Sequence, residues 1–119
     1  MGLLAYSPLA QGQLTGKYLD GATPAGSRKA LYNRMQRYEG PGSQEAFHAY
    51  VALAEANGLD PAQLALKFCD ARPFVTATII GATSMGQLKT NIDAFDVAWT
   101  DDLEDAVNAI HARHPNPCP

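Results

Sequence analysis

Two short apolar runs alternate with longer amphipathic segments along the chain. The runs are GLLAY at residues 2–6 and VTATII at residues 75–80, and the second is rich in β-branched side chains. Neither run alternates with polar residues. This pattern predicts two strands that are buried on both faces, as in a parallel sheet.

Four helices are predicted from apolar periodicity and capping signals. One covers residues 44–57, and the others begin after the candidate caps Asp60, Ser84 and Thr100. Gln63 and Gln87 stand where a capping box needs them. The predicted apolar faces are Phe47, Tyr50, Val51 and Ala54 in the first helix, Leu64 and Phe68 in the second, Leu88, Ile92 and Phe95 in the third, and Leu103, Ala106, Val107 and Ile110 in the last.

The order of elements is strand, long loop, two helices, strand, and two more helices, with the loop at residues 19–42. Alternating strands and helices predict an α/β fold built from parallel βαβ units. Two strands form a poor sheet, and strands of this kind need neighbours on each side. We therefore expect that part of the sheet is missing from this sequence.

Composition narrows the function classes. The 119 residues are 46% hydrophobic and 18% charged with a net charge of −3, which is ordinary globular composition and gives no general reason to expect nucleic acid or a membrane as partner. Cys69 and Cys118 have no metal-binding or CxxC spacing. We expect two free thiols, a cytoplasmic location and no metal site.

The first candidate site is SPLAQGQLTGK, directly after the first strand. Gly12 and Gly16 allow close approach of the backbone to a ligand, and Ser7 and Lys17 suit an anion. The spacing does not match a P-loop. Residues 17–37 hold five basic side chains and one acidic one, a local charge of +4 that suits a polyanion. A solvated basic loop with a glycine turn is the alternative.

The second candidate site is GATSMGQLKTN, residues 81–91, after the second strand. A helix that begins here presents free N–H groups and the positive end of its dipole to an anion. Thr83, Ser84, Gln87 and Asn91 add polar side chains. The alternative is that Ser84 and Gln87 only cap the helix. Because ligand sites in parallel barrels lie at the carboxyl ends of the strands, both loops point to one site.

LLAYSPLAQGQLTGKYLDG, GSRKALYNRMQRYEG, GLDPAQLAL and PFVTATIIGATSMGQLKTN resemble segments of aldo-keto reductases, in the branch with the Tas-like bacterial enzymes and the potassium-channel β subunits. The resemblance runs from Leu3 to about His111. It implies the C-terminal part, strands seven and eight with their helices, of a (β/α)8 TIM barrel that binds NADP(H) and reduces aldehydes or ketones.

The resemblance also implies a division of the chain into 3–18 (strand and pyrophosphate loop), 19–42 (cofactor-covering loop), 43–72 (helices), 73–91 (strand and adenosine and 2′-phosphate loop) and 100–114 (C-terminal helix). Tyr6 would stack on the nicotinamide, and Arg28 would approach the 2′-phosphate. The cofactor residues that it implies are Tyr6, Ser7, Pro8, Leu9, Gly12, Lys17, Arg28, Gly81, Thr83, Gln87 and Asn91.

The family's catalytic tyrosine, lysine, aspartate and histidine belong to earlier strands, and we find no counterpart here. His48, His111 and His114 are expected on the surface. The sequence thus begins at strand seven, as expected of a truncated gene, an expression fragment or an internal start. The leading hypothesis is a cofactor-binding segment without the catalytic residues. The alternatives are a stand-alone NADP(H)- or nucleotide-binding module and a non-functional fragment. Unpaired strand edges predict self-association.

Overall fold

The computed structural model describes residues 1–118, so Pro119, the last residue of the predicted partial domain, lies outside the described part. The two strands are β1 (Leu3–Ala5) and β2 (Val75–Thr78). The helices are α1 (Arg28–Tyr32), α2 (Ser43–Ala56), α3 (Pro61–Asp70), α4 (Met85–Asp93) and α5 (Asp101–Arg113), and short 3-10 turns lie at Ala10–Thr15, Leu19–Gly21, Gln36–Tyr38 and Ala94–Asp96. Within residues 1–118, no helix combines the length and apolarity that crossing a bilayer requires.

β1 and β2 pair in parallel, with Leu4 opposite Ala77 and Ala5 opposite Thr78. The Ile79 amide continues the ladder by donating to the Ala5 carbonyl at 2.9 Å. The parallel pairing confirms the predicted α/β class, and the sheet is not closed. The predicted burial of the strands is wrong for this chain, since Leu4 is 61% exposed. With only two strands described, no layer covers the second face of the sheet.

The core lies between the helices. Ala54 of α2, Leu64 of α3 and Leu103 of α5 form one buried cluster, against which Leu53, Leu59 and Trp99 pack. The predicted apolar faces of α2 and α5 are confirmed by burial of Phe47, Val51, Val107 and Ile110. The predicted apolar face of the third helix is not buried, since Ile92 is 55% and Phe95 38% exposed. In α3, the predicted apolar residue Phe68 is 37% exposed. α4 packs mainly on α3 and on the 3-10 turn Ala94–Asp96 that contains Phe95.

Side-chain caps fix the starts of three helices. Asp60 accepts from the Ala62 amide at 2.8 Å, Ser84 from the Gln87 amide at 3.2 Å, and Thr100 from the Leu103 amide at 3.2 Å. The caps are therefore as predicted. The capping box at Gln63 is wrong, because its side-chain amide donates instead to the Thr90 carbonyl at 3.2 Å and ties α3 to α4.

The segment 19–42, predicted as a loop without regular structure, contains α1 and two 3-10 turns. Ser27 caps α1 by accepting from the Ala30 amide at 3.3 Å, and Asn33 ends it in the left-handed conformation with φ of 45°. The helix is only one turn long, which is too short to show an apolar period. The sequence pattern therefore could not reveal it.

Candidate anion-binding site at the carboxyl edge of the sheet

The two candidate loops leave the sheet at the same edge. Because β1 and β2 are parallel and Ala5 pairs with Thr78, Tyr6 and Ser7 emerge beside Ile79 and the turn that begins at Gly81. This juxtaposition was predicted from the sequence. It brings an amide-rich loop and a helix N-terminus to one side of the sheet, which is where ligands bind in parallel α/β folds.

The first loop is wound tightly by unusual backbone conformations. Ser7, Ala10 and Gln11 have φ of 55°, 48° and 57° although none of them is glycine. Such left-handed residues cost about 1–2 kcal/mol each and cluster at ligand-binding segments. The Ala10 amide donates to the Ser7 carbonyl at 2.9 Å and the Gly12 amide to the Leu9 carbonyl at 2.8 Å. The loop between β1 and Lys17 is thus a preformed, rigid coil.

Gly12 is required by its neighbours. Its φ is +99°, and a Cβ atom placed there would lie 3.0 Å from Lys17 Cε and 3.2 Å from Tyr18 Cε2. The Lys17 ammonium lies 5.1 Å from the centroid of the Tyr18 ring, which itself is 1% exposed. The absence of a side chain at Gly12 therefore leaves space for the Lys17 side chain, whose ammonium group lies against the loop.

A hydrogen bond that the sequence did not predict holds residues 19–42, here called the covering segment after their expected role, to this loop. The Tyr38 hydroxyl donates to the Ser7 hydroxyl at 3.3 Å. Next to it, Lys29 pairs with Glu39 at 2.9 Å, and the Lys29 amide donates to the Tyr18 hydroxyl at 3.4 Å. No local pattern could have found Tyr38, since it lies 31 positions away from Ser7.

The second loop is organised by Gln87. Its side-chain carbonyl accepts from the Thr83 amide at 2.8 Å and from the Thr83 hydroxyl at 3.0 Å, while Ser84 accepts from the Gln87 amide. The first amides of a helix have no acceptor within the helix. Those of Met85 and Gly86 therefore remain for solvent or an anion at the positive end of α4.

Asn91 stabilises the start of this loop by a hydrogen bond from α4. It is 3% exposed, and its side-chain amide donates to the Gly81 carbonyl at 3.2 Å, which fixes the end of the strand against α4. A Cβ atom built on Gly81 would meet no atom within 4 Å. Its sequence neighbours Ile80 and Ala82 line an open groove of about 430 Å³, together with Thr83, Ser84, Met85 and Leu88.

The remaining predicted residues lie around this edge. Tyr6 is 72% exposed at the end of β1, and Pro8 and Leu9 are half-buried in the first loop. Arg28 is exposed at the start of α1 and, like Arg34 and Arg37, forms no ion pair within residues 1–118. The charge of the covering segment is therefore neutralised only at Lys29, and three guanidinium groups remain available to an anion.

No constellation for acid–base or metal chemistry accompanies these loops in the described part of the chain. Groups of three or more potential metal ligands are absent from residues 1–118. His48 is bound to Asp20 at 2.9 Å on the surface, and His111 is exposed on α5. What the edge offers is hydrogen bonds and positive charge, which fit the binding of a phosphorylated ligand.

The fold defines an α/β protein with two parallel strands, whose following loops leave the sheet at one edge. The family model of the aldo/keto reductase family matches residues 1–112. The chain belongs to the aldo/keto reductase family.

The individual relatives agree with this assignment. The chain is 50% identical to Protein tas of Escherichia coli strain K12 over 117 residues, which are 98% of this chain and 34% of that protein. It is 36% identical to a probable voltage-gated potassium channel subunit beta of Oryza sativa subsp. japonica (97% of this chain, 37% of the relative). It is 34% identical to L-glyceraldehyde 3-phosphate reductase of E. coli strain K12 (81% of this chain, 29% of the relative). The chain spans about a third of the length of these relatives.

Proposed function

We propose that this chain is the cofactor-binding C-terminal segment, strands seven and eight with their helices, of an NADP(H)-dependent reductase of aldehydes or ketones. The observation that carries the proposal is that the two loops predicted to bind an anion leave two parallel strands at the same edge. Membership of a family of oxidoreductases supports it. The free thiols of Cys69 and Cys118 suit a cytoplasmic location.

The residues at the edge fit a dinucleotide phosphate. Residues 3–18 would hold the pyrophosphate through the Ser7 hydroxyl, the backbone amide of Leu9 and the charge of Lys17, with Gly12 allowing close approach of the backbone. Residues 73–91 would hold the adenosine, with the open space beside Gly81 and the groove above Thr83 receiving it. Residues 19–42 would cover the cofactor.

Discrimination of NADP(H) from NAD(H) requires a cation at the 2′-phosphate. Arg28 is exposed and unpaired within residues 1–118, and a guanidinium binds a phosphate through two parallel hydrogen bonds. Gln87 accepts a hydrogen bond from the hydroxyl of Thr83, which lines the groove. We assign binding of the 2′-phosphate to Arg28 and Gln87. Asn91 would act indirectly, through its hydrogen bond to the Gly81 carbonyl.

Bound NADPH supplies the hydride for a carbonyl carbon. Tyr6, exposed at the end of β1, offers an aromatic face on which a nicotinamide ring stacks. Reduction also needs a positioned proton donor. We assign no such role to residues 1–119, because Lys17 is held on Tyr18 and the histidines lie elsewhere. The donor and the pocket for a small carbonyl substrate belong to the rest of the barrel.

The proposal is tested by titrating the purified chain with NADPH and NADH at low ionic strength, following cofactor emission and Trp99 fluorescence. We expect saturable binding that prefers NADPH. Arg28→Ala should remove most of that preference and leave NADH affinity unchanged. Arg113→Ala, a matched loss of one guanidinium on the last turn of α5, is the control and should change neither affinity.

Three results would count against the proposal. Equal binding of NADPH and NADH by the unaltered chain would contradict the role of Arg28. Absence of binding by a chain whose circular dichroism shows its helices formed would contradict the cofactor site. Carbonyl reduction by the pure chain with stoichiometric NADPH consumption would contradict the absence of catalytic residues.

A second candidate function is a stand-alone nucleotide-binding module without chemistry. The radius of gyration of 13.9 Å favours it, because a compact domain of this length has about 13.5 Å. The helices and caps are complete without further strands. Carbonyl reduction once the rest of the barrel is added would favour the first candidate, and NADPH binding by the chain with no gain of reduction would favour this one.

A further inference from the structure

α4 is a surface helix that polar bonds, rather than an apolar stripe, hold in place. Asn91 is the one buried residue among Met85–Asp93, and Ile92 is 55% and Met85 77% exposed. A surface helix ordinarily buries apolar residues on one face, and that burial fixes its direction. In the described chain, hydrogen bonds therefore contribute more than usual to the direction of α4.

Two of these bonds come from one face of α3. Gln63 and Lys67 stand four positions apart, so they lie on the same side of that helix. The Gln63 side-chain amide donates to the Thr90 carbonyl at 3.2 Å. The Lys67 ammonium donates to the Phe95 carbonyl at 2.8 Å. Both acceptors belong to the main chain, in the last turn of α4 and in the 3-10 turn that follows it, so α3 holds the carboxyl end of α4.

Lys67 is suited to this contact by its charge. The last carbonyls of a helix lack donors within the helix and carry the negative end of its dipole. The Lys67 ammonium meets one of them and also pairs with the Asp70 carboxylate at 2.8 Å, and its side chain is 15% exposed. An ammonium that is fixed between two acceptors restrains the turn at Phe95 more than a mobile surface lysine would.

Restraint at the carboxyl end of α4 reaches the amino end because a helix is stiff. The nine residues of α4 span about 13 Å. A third bond, from the Asn91 side-chain amide to the Gly81 carbonyl at 3.2 Å, ties the same helix to the loop after β2. Together these bonds set where the free amides of Met85 and Gly86 point.

We propose that Gln63 and Lys67 are positioning residues of the candidate site, which set the direction of α4 through the Thr90 and Phe95 carbonyls and touch no ligand themselves. The inference rests on the proposed function, because the group that α4 would receive is the adenosine 2′-phosphate end of the cofactor. It adds to that function two residues of a helix that supplies no other part of the site.

Two separate ligands, each titrated calorimetrically into the full 119-residue chain, test this role. Adenosine 2′,5′-bisphosphate probes the site at α4, and inorganic pyrophosphate probes the loop after β1. Lys67→Met and Gln63→Met should each weaken binding of the adenosine bisphosphate about threefold to tenfold, as expected for one lost hydrogen bond. They should leave pyrophosphate binding unchanged. Lys67→Arg retains a cationic donor for the last carbonyls and should bind the adenosine bisphosphate nearly as tightly as the unaltered chain.

Lys89→Met is the matched control. Lys89 pairs with Asp93 at 2.6 Å inside α4, and its side chain is 76% exposed, so this ion pair ties α4 to no other helix. Lys89 also lies nearer the amino end of α4 than Phe95, where Lys67 binds. An effect of charge alone would therefore be larger for Lys89→Met, whereas positioning predicts a change of no more than about twofold.

Hydrogen exchange without ligand measures the helix itself. The Leu88 amide donates to the Ser84 carbonyl at 3.0 Å in the first turn of α4. We expect its exchange to be about threefold to tenfold faster in Lys67→Met and Gln63→Met, with the amides of α2 unchanged as evidence that the fold is retained. Unchanged exchange of Leu88 in both variants would contradict the inference.

The titrations separate this inference from the proposed function. No binding of the adenosine bisphosphate by the unaltered chain would overturn both. Binding that Lys67→Met and Gln63→Met leave unchanged would overturn the inference and leave the proposed function standing. An equal loss of pyrophosphate binding would assign the effect to general loss of folding, and an equal loss in Lys89→Met would assign it to charge. Either result would overturn the positioning role.

Discussion

The Tyr38 hydroxyl donates a hydrogen bond to the Ser7 hydroxyl at 3.3 Å, across 31 positions of sequence. The bond joins the far end of the covering segment to the first turn of the loop after β1. Ser7 has a φ of 55°, so its backbone is held in a conformation that costs energy. Tyr38 therefore helps to hold Ser7 in the conformation that presents its amide-rich loop.

Tyr38→Phe should loosen the covering segment and weaken NADPH binding. Loss of one such hydrogen bond costs about 0.5–1.5 kcal/mol, or roughly threefold to tenfold in affinity where the bond is made only in the ordered loop. Hydrogen exchange of residues 19–42 and an NADPH titration measure the two effects. Tyr32→Phe is the matched control because Tyr32 is 66% exposed and accepts or donates no hydrogen bond in the described chain. Equal behaviour of the two variants would show that the Tyr38 bond carries no part of the site.

Glu104 of α5 links three aromatic and cationic side chains. Its carboxylate accepts from the Arg72 guanidinium, with Arg72 Nη1 to Oε1 at 2.9 Å, and from the Trp99 indole at 2.7 Å. The Arg72 guanidinium also stacks 4.3 Å from the centroid of the Phe68 ring. The hydrogen bonds from Arg72 and then Trp99 lower the pKa of Glu104 from its ordinary 4.5 to about 2. The cluster ties α3 to α5.

The free energy of unfolding of the chain should therefore decrease as the pH is lowered through a defined window. Because the pKa of Glu104 is lower in the folded state, its contribution is complete above pH 4.5 and is lost as pH falls from 4.5 towards 2. Urea unfolding followed by Trp99 fluorescence at several pH values measures this loss. Glu104→Gln should flatten the dependence in that window and lower stability at neutral pH. Glu55→Gln, on the exposed side of α2, should preserve the slope. An unchanged slope in Glu104→Gln would assign the acid sensitivity to other carboxylates.

The parts of this structure that could be predicted from sequence are local. Asp60, Ser84 and Thr100 cap their helices because a side-chain oxygen reaches an amide two or three residues away, whatever the surroundings. The apolar face of α2 follows from its period in the same way. The convergence of the two loops was also predictable, since parallel strands place their carboxyl ends at one edge.

The parts that could not be predicted depend on distant partners. Gln63 stands three residues after the N-cap Asp60, where a capping box places its glutamine, yet its side-chain amide donates to the carbonyl of Thr90, 27 positions away. The predicted burial of β1 was wrong, because a strand is buried only when neighbouring strands and helices cover it, and two strands do not form such a sheet. The roles of the predicted cofactor residues remain predictions, since the structure describes their positions without a ligand.

Gln13 is a buried polar side chain without a hydrogen-bond partner in the described chain. It is 1% exposed, and neither its side-chain oxygen nor its nitrogen has a hydrogen-bond partner within residues 1–118. A buried polar group without a partner costs about 1–3 kcal/mol. Gln13→Met keeps the length of the side chain and removes the amide, so we expect the free energy of unfolding to rise by about 1–3 kcal/mol in urea denaturation. Gln63→Met is the control: it removes an amide that is bonded to Thr90 and should lower stability. A loss of stability in Gln13→Met would mean that bound water satisfies the buried amide.

A comparison of Gly12→Ala with Gly81→Ala distinguishes a substitution that strains the backbone from one that only fills space proposed for the ligand. At Gly12 a methyl group meets Lys17 at 3.0 Å, and the φ of +99° is unfavourable for alanine. At Gly81 a methyl group meets nothing within 4 Å. Gly12→Ala should therefore lower the free energy of unfolding by about 1–3 kcal/mol.

Gly81→Ala should leave stability within about 0.5 kcal/mol of the unaltered chain, because it adds no contact and no strain. It should still weaken NADPH binding, since the methyl group occupies the open space in which the proposed adenosine lies. Thermal unfolding and an NADPH titration of both variants give the comparison. If Gly81→Ala binds NADPH as tightly as the unaltered chain, the groove beside α4 is not the adenosine site. The phosphate contacts would then have to come from the loop after β1 alone.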